Sequence, residues 1–263
     1  MKWEELTAPE FERAVRTVQQ TCLVPIGVIE KHGEHLPLGT DCLTGRAVAE
    51  AAVQIEPAII FPLYYFGQIH EGKHQPGAIA VKFRLMFDLL DDVCEEIARN
   101  GLKKIVLLNG HGGNNSLLLT FVQSMLERKR EYVVYLIGLS AYSPMASAEW
   151  KAMRETTVDG HAGELETSAM LFSHPDLVKM AEIADNGQPQ KRCAHLTGLN
   201  TPISWYADYP NHYAGDGRRG TKEKGRFIIE YAAQKVAAFL KVVKADMTAP
   251  ALQEEFHSRT TRC

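Results

Sequence analysis

The sequence predicts an α/β layered fold with a mostly parallel central sheet, and three observations carry that expectation. Short runs rich in β-branched residues alternate with longer amphipathic ones, the order strand then helix recurs, and the strand segments are apolar enough to be buried on both faces. A helical stretch at 8–20 leads into the strand "CLVPIGV" (22–28). Helix 42–56 then precedes "AIIFPLY" (58–64), helix 83–100 precedes "KKIVLLN" (103–109), and helix 115–130 precedes "EYVVYLIGL" (131–139). Helices at 163–172 and 219–244 complete the pattern. One domain, 1–263, is expected, because a large α/β domain reaches 263 residues. In such a fold, ligands sit in the crevice beyond the carboxyl ends of the strands. That singles out two loops: 29–41, after the first strand, and "GHGGNNS" (110–116), after the strand ending at Asn109. A third segment, 184–218, is long, polar and rich in Gly, Pro and Asn, as functional loops often are.

Composition narrows the function classes. A net charge of −3 gives no reason to expect nucleic acid as a partner. The cysteines, Cys22, Cys42, Cys94, Cys193 and Cys263, are odd in number and have no CxxC spacing, which argues against a disulfide framework or a zinc knuckle. The N-terminal stretch carries acids and no long apolar run, and no segment approaches a membrane span. A cytoplasmic protein with a small-molecule substrate is expected.

"VIEKHGEHLPLGTD" (28–41) concentrates carboxylates and imidazoles. Glu30 and His32 are two apart in a segment leaving a strand, so in extended geometry both can point to one side. Asp41 stands at a helix start, where it could also serve as a cap. His111, in "NGHGGNNS", belongs to a Gly-rich turn that could equally cradle an anion, although it has neither Walker nor GxGxxG spacing. "DGHAGELETSAML" (159–171) adds His161, Glu164 and Glu166. Acids in the first helical turn favour the macrodipole, which accounts for one of these glutamates but not for the histidine beside them. Carboxylate and imidazole together suit a hard or borderline divalent cation. The three loops together suggest a two-metal site bridged by Asp41.

"PIGVIEKHGEHLPLGTD", "LLNGHGGN" and "HAGELETS" resemble the creatininase (creatinine amidohydrolase) family in order and spacing, and "GDGRRGTKEKG" (215–225) resembles its late Gly-Asp and Thr/Lys-Gly segment. The resemblance runs from about Leu23 to Gly225. It implies a three-layer α/β/α sandwich of the creatininase type and two divalent ions, zinc, manganese or iron. Glu30 and His111 would hold one ion, His32 and Glu166 the other, with Asp41 bridging. His161 matches the family's catalytic histidine, and Glu164 is a residue that could orient His161 or a metal-binding histidine. A homo-oligomer, commonly a hexamer, is also implied. The implied reaction is attack by hydroxide on a carbonyl carbon, with a proton carried by His161.

Two departures bear on substrate. Where creatininase has an acidic residue two positions after the histidine of the NGH segment, this chain has Gly113, as in a branch resembling formamide deformylases, peptide-processing enzymes and a hydrolase of cyclic keto-inositols. In "YFGQIHEGKHQPGAIAV" (65–81), Ala78 stands where many members have Thr. His74, Trp205 and Tyr206 are the expected substrate contacts, His74 being equally suited to a structural role beside its Pro-Gly turn and the aromatics to a subunit interface. Hydrolysis of a small cyclic amide or related carbonyl compound is the first expectation. Ring-opening C–C hydrolysis of a cyclic keto-polyol is the second, and an idle binding protein on the same fold is a distant third.

Overall fold

A computed structural model describes residues 1–185 and 187–260, so Cys263 lies outside the described residues. Four parallel strands, β1 (Thr21–Ile26), β2 (Ile59–Ile60), β3 (Lys104–Asn109) and β4 (Val133–Ile137), lie in the order β2-β1-β3-β4. Strand residues alternate between two cores, as the pleat dictates. Cys22, Val24, Ile26, Ile105 and Leu107 face one core, shared with α1 (Ala8–Thr17), α3 (Phe83–Arg99) and α4 (Asn114–Ser124). Leu23, Val106 and Leu108 face the other, which is built with α2 (Thr40–Ile55) and α9 (Lys222–Ala245). The three layers implied by the resemblance are thus present. Shorter helices follow β4: α5 (Leu139–Tyr142), α6 (Ala148–Met153), α7 (Glu164–Ser173), α8 (Ser204–Asp208) and, after α9, α10 (Thr248–Thr260).

The strand expected over 58–64 forms ladder pairs at Ile59 and Ile60, and pairing returns only as an isolated parallel bridge of Tyr64 with Ile26. Its neighbour explains why. The Phe61 amide donates to the Leu23 carbonyl (2.8 Å), and the next rung would need an N–H from Pro25, which has none. The Phe61 carbonyl instead accepts from the Arg46 guanidinium at 3.1 Å. The helix expected over 115–130 stops at Ser124 and tightens into a 3₁₀ turn, Met125–Glu127.

Helices α7 and α9 cross at van der Waals contact. A β-carbon on Gly225 would lie 1.9 Å from the Ser168 carbonyl oxygen, so only glycine permits this approach. The strand order reverses between β1 and β3, and the loops leaving those two strands open onto the same crevice, where such sheets bind ligands.

Candidate metal centre

The loop after β1 is shaped by close backbone packing. A β-carbon at Gly27 would fall 2.6 Å from the Cys42 amide nitrogen, and Gly33 adopts φ +59°. The Glu30 amide donates to the Leu38 carbonyl (3.0 Å), folding the loop back so that Glu30 and His32 are both fully buried. Asp41 lies in the first turn of α2 but makes no capping hydrogen bond. Its carboxylate turns inward, with Oδ1 3.1 Å from His32 Nε2 and Oδ2 2.9 Å from His111 Nδ1.

Two donor groups meet at Asp41. Glu30 Oε1 lies 2.9 Å from the same His111 Nδ1, and Glu30, Asp41 and His111 form one cluster able to hold a cation. His32, His161 and Glu166 form a second. His32 Nε2 stands 3.8 Å from Glu166 Oε2, and the His32 and His161 rings lie 4.2 Å apart between centroids. The backbone selects which ring nitrogens face inward. His111 Nε2–H donates to the Gln68 carbonyl (2.9 Å) and His32 Nδ1–H to the Glu30 carbonyl (3.2 Å), which leaves the opposite nitrogens turned toward the carboxylates.

The residues fit a cation. Glu30 Oε1 and Asp41 Oδ2 are buried without a hydrogen-bond partner, although each sits 2.9 Å from the inward nitrogen of His111. Converging lone pairs of this kind call for a positive charge between them. The same demand appears in the protonation of the cluster. Burial alone would lower His111, but Glu30 and Asp41 override it and raise it well above its ordinary value. Burial would likewise lower His32, but Asp41 outweighs it and raises the ring to about 10. Glu166 is pushed up to about 7 by burial, with His32 pulling the other way.

His161 is followed directly by Ala162, which takes φ +53°, and Asp159 Oδ1 accepts from the Leu165 amide at the start of α7 (3.1 Å). Its Nε2 lies 2.7 Å from the Lys31 carbonyl, and burial together with the neighbouring His32 lowers its pKa to about 3. Glu166 Oε2 accepts from the Ala162 amide at 2.5 Å.

Glu164 corrects the sequence expectation. It is fully buried but turned away from His161, accepting from the Glu155 and Thr156 amides and from Lys224 Nζ at 2.6 Å. Two residues apart on a helix are rotated by roughly 200°, so Glu164 and Glu166 cannot face one site. A pocket of about 290 Å³ opens over the cluster, lined by Glu71, Gly112, Gly113, Leu139, Gly160 and Trp205 beside the metal-type donors. Trp205 therefore lies where a substrate contact was expected. His74 and Tyr206 do not line this pocket. They pack edge to face at 4.8 Å, and His74 Nε2 bonds the Pro210 carbonyl (2.9 Å), so they tie two loops together. Gly113 also has a steric reason: a β-carbon there would lie 2.4 Å from Gln68 Oε1 and 2.5 Å from His111 Nε2.

Sequence reasoning left His212 without a role. It is buried, and its Nε2 lies 2.5 Å from Glu30 Oε2, with Trp205 Nε1–H donating to its Nδ1 at 3.0 Å. Local sequence offers no sign of this, because its partner is 182 positions away.

The sequence model of the creatininase family, described as creatinine amidohydrolase, matches residues 4–240. The chain belongs to the creatininase family. Like its relatives, this family member is a hydrolase. A creatinine amidohydrolase of Pseudomonas putida is 25% identical over 256 residues, 89% of this chain and 93% of that protein. A mycofactocin precursor peptide peptidase of Mycolicibacterium smegmatis is 29% identical over 177 residues, 65% of each. A 3-dehydro-scyllo-inosose hydrolase of Thermotoga maritima is 25% identical over 231 residues, 79% of this chain and 72% of that protein. Two solved creatininases, a mutant of Zn–Zn type and a manganese form, share this creatininase fold. Each has TM-score 0.80 and 23% identity over 93% of this chain, covering 98% and 99% of theirs.

Proposed function

We propose that the protein is a dinuclear metal-dependent hydrolase acting on a small cyclic amide or related carbonyl compound. The observation that carries this is the division of Asp41, one oxygen toward His32 and the other toward His111. Glu30 and His111 would hold one divalent ion, His32 and Glu166 the other, with Asp41 shared. All donors are oxygen or imidazole nitrogen, as zinc, manganese and iron accept, and the Cys42 thiol is turned to the Val28 carbonyl (3.4 Å). Such a pair of ions supplies a nucleophile at neutral pH and Lewis acidity at the carbonyl.

The chain's own residues do the rest. His161 donates its Nε2–H to the Lys31 carbonyl, which leaves Nδ1 as the nitrogen that would accept a proton and pass it to the leaving group. Trp205 offers a flat apolar wall, and Gly112, where a β-carbon would meet nothing within 4 Å, leaves space for substrate beside His111. Association of copies fits the half-exposed Phe83 and Leu85 on α3.

Gly113 and the polar neighbours Glu71 and Gln68, joined at 2.5 Å, favour a second reading. In it, the same centre opens a cyclic keto-polyol by C–C hydrolysis; the Thermotoga relative is named as a hydrolase of 3-dehydro-scyllo-inosose.

The test is elemental analysis of protein purified without chelator, followed by assays on cyclic amides, formamides and keto-inositols. Close to two divalent ions per chain supports the proposal. Protein that stays metal-free after reconstitution with zinc, manganese and iron overturns it. The substrate turned over then decides between C–N and C–C cleavage.

A further inference from the structure

We infer that His212 is a positioning residue that fixes the metal-ligating oxygen of Glu30, and that Trp205 holds His212 in the tautomer this task requires. The inference rests on the dinuclear reading above.

Four observations converge on one ring. The first is backbone. His212 takes φ +54°, a left-handed conformation that is unfavourable for a non-glycine residue and persists where the surroundings enforce it. Its amide donates to the Tyr209 carbonyl at 3.0 Å, which pins the turn. The second is space. A β-carbon on Gly72 would stand 3.0 Å from His212 Cε1 and 3.1 Å from Nε2, so the glycine leaves room for the ring.

The third observation sets the proton. An indole N–H only donates, so His212 Nδ1, 3.0 Å from Trp205 Nε1, accepts, and the ring's hydrogen sits on Nε2. The fourth is the recipient. Nε2–H donates to Glu30 Oε2 at 2.5 Å, while Glu30 Oε1, which faces His111 at 2.9 Å, has no hydrogen bond. The two oxygens of Glu30 are thereby given separate tasks, one tied to the scaffold and one left for an ion.

Glu30, His161 and His212 lie close enough to hold a cation as a trio. With Nε2 carrying its hydrogen and Nδ1 engaged by Trp205, however, His212 has no free lone pair to offer. Its contribution is orientation, of the kind that typically changes metal affinity by about 10- to 100-fold. Because Trp205 also lines the pocket, the chain that holds Glu30 ends at the substrate wall.

The experiment strips the full chain with a chelator and titrates zinc against a colorimetric competitor. His212→Ala is expected to weaken zinc at one of two positions by about 10- to 100-fold. His212→Gln, whose side-chain N–H can reach Glu30, is expected to recover most of that loss. Trp205→Phe keeps the bulk but not the donor and is expected to lie between. Unchanged affinity in His212→Ala overturns the inference. So does a Gln variant as weak as the Ala variant, because that marks His212 as a ligand rather than a donor. A wild type that takes up no zinc brings down the dinuclear reading and this inference with it, whereas two ions in both wild type and His212→Ala at equal affinity sinks only the latter.

Discussion

The ammonium of Lys224 meets the carboxylate of Glu164 at 2.6 Å in the interior, where α9 passes α7. Lys224 also reaches Glu155 Oε1 (2.7 Å) and the Arg219 carbonyl (3.1 Å), so its three hydrogens are all engaged. Removing the cation leaves a fully buried carboxylate with only backbone partners. Lys224→Met is expected to cost about 3–5 kcal/mol in urea denaturation at neutral pH. A loss below about 1 kcal/mol, the range of surface pairs, would show that the pair is solvated in solution.

The same pair sets a pH dependence. Burial alone would raise the Glu164 carboxyl, but Lys224 and the Thr156 and Glu155 amides hold it below its ordinary 4.5. The folded state thus takes up a proton less readily than the unfolded chain. Its stabilisation is complete above the unfolded value and is lost as pH falls through the lower folded one. The stability gap between wild type and Glu164→Gln is therefore expected to narrow below about pH 4.5. A gap that stays constant through that range argues against the depressed value.

Asp41→Ala removes the one carboxylate that faces both donor groups. We expect metal content to fall from about two ions per chain to near zero, with the helical circular dichroism signal retained, since Asp41 caps nothing. Full metal occupancy in the variant would end the bridging assignment.

His161→Ala is expected to keep its metal and lose turnover by roughly 10²- to 10⁴-fold, the usual share of a proton-transfer group. Metal content and rate are measured on the same preparation. Loss of an ion would instead make His161 a metal ligand alongside His32 and Glu166.

Gly225→Ala tests the helix crossing. The added methyl would strike the Ser168 carbonyl, and backbone oxygen cannot step aside as a flexible side chain would. Overpacking of this kind costs about 1–3 kcal/mol, which for a chain of this size lowers the melting temperature by roughly 2–12 °C. An unchanged melting temperature would mean that α7 and α9 are less closely packed than described.

Where the sequence was legible, the physics was local. β1 could be read from "CLVPIGV" because six consecutive positions are buried, and a run apolar on both faces has few other uses. The first loop was legible because its donors lie within a dozen residues of one another. β2 was overestimated because its length depends on the hydrogen that Pro25 lacks, on a different strand. Glu164 was grouped with Glu166 by proximity in sequence, although the helical period separates them. His257 lies buried in α10, whose weak amphipathic pattern gives little sign of it. His212 had no local signature at all.

The distance along the chain between Glu30 and His212 has a further consequence for biogenesis. At about 5–20 residues per second, a ribosome needs roughly 10–40 s to travel the 182 positions from one to the other. Throughout that interval, an ion arriving at the nascent protein can find Glu30, His32 and Asp41, and later His111, but not the ring that holds Glu30 in place. On the proposed assignment, the ring that orients Glu30 is the last part of the centre to be synthesised, after all five proposed ligands.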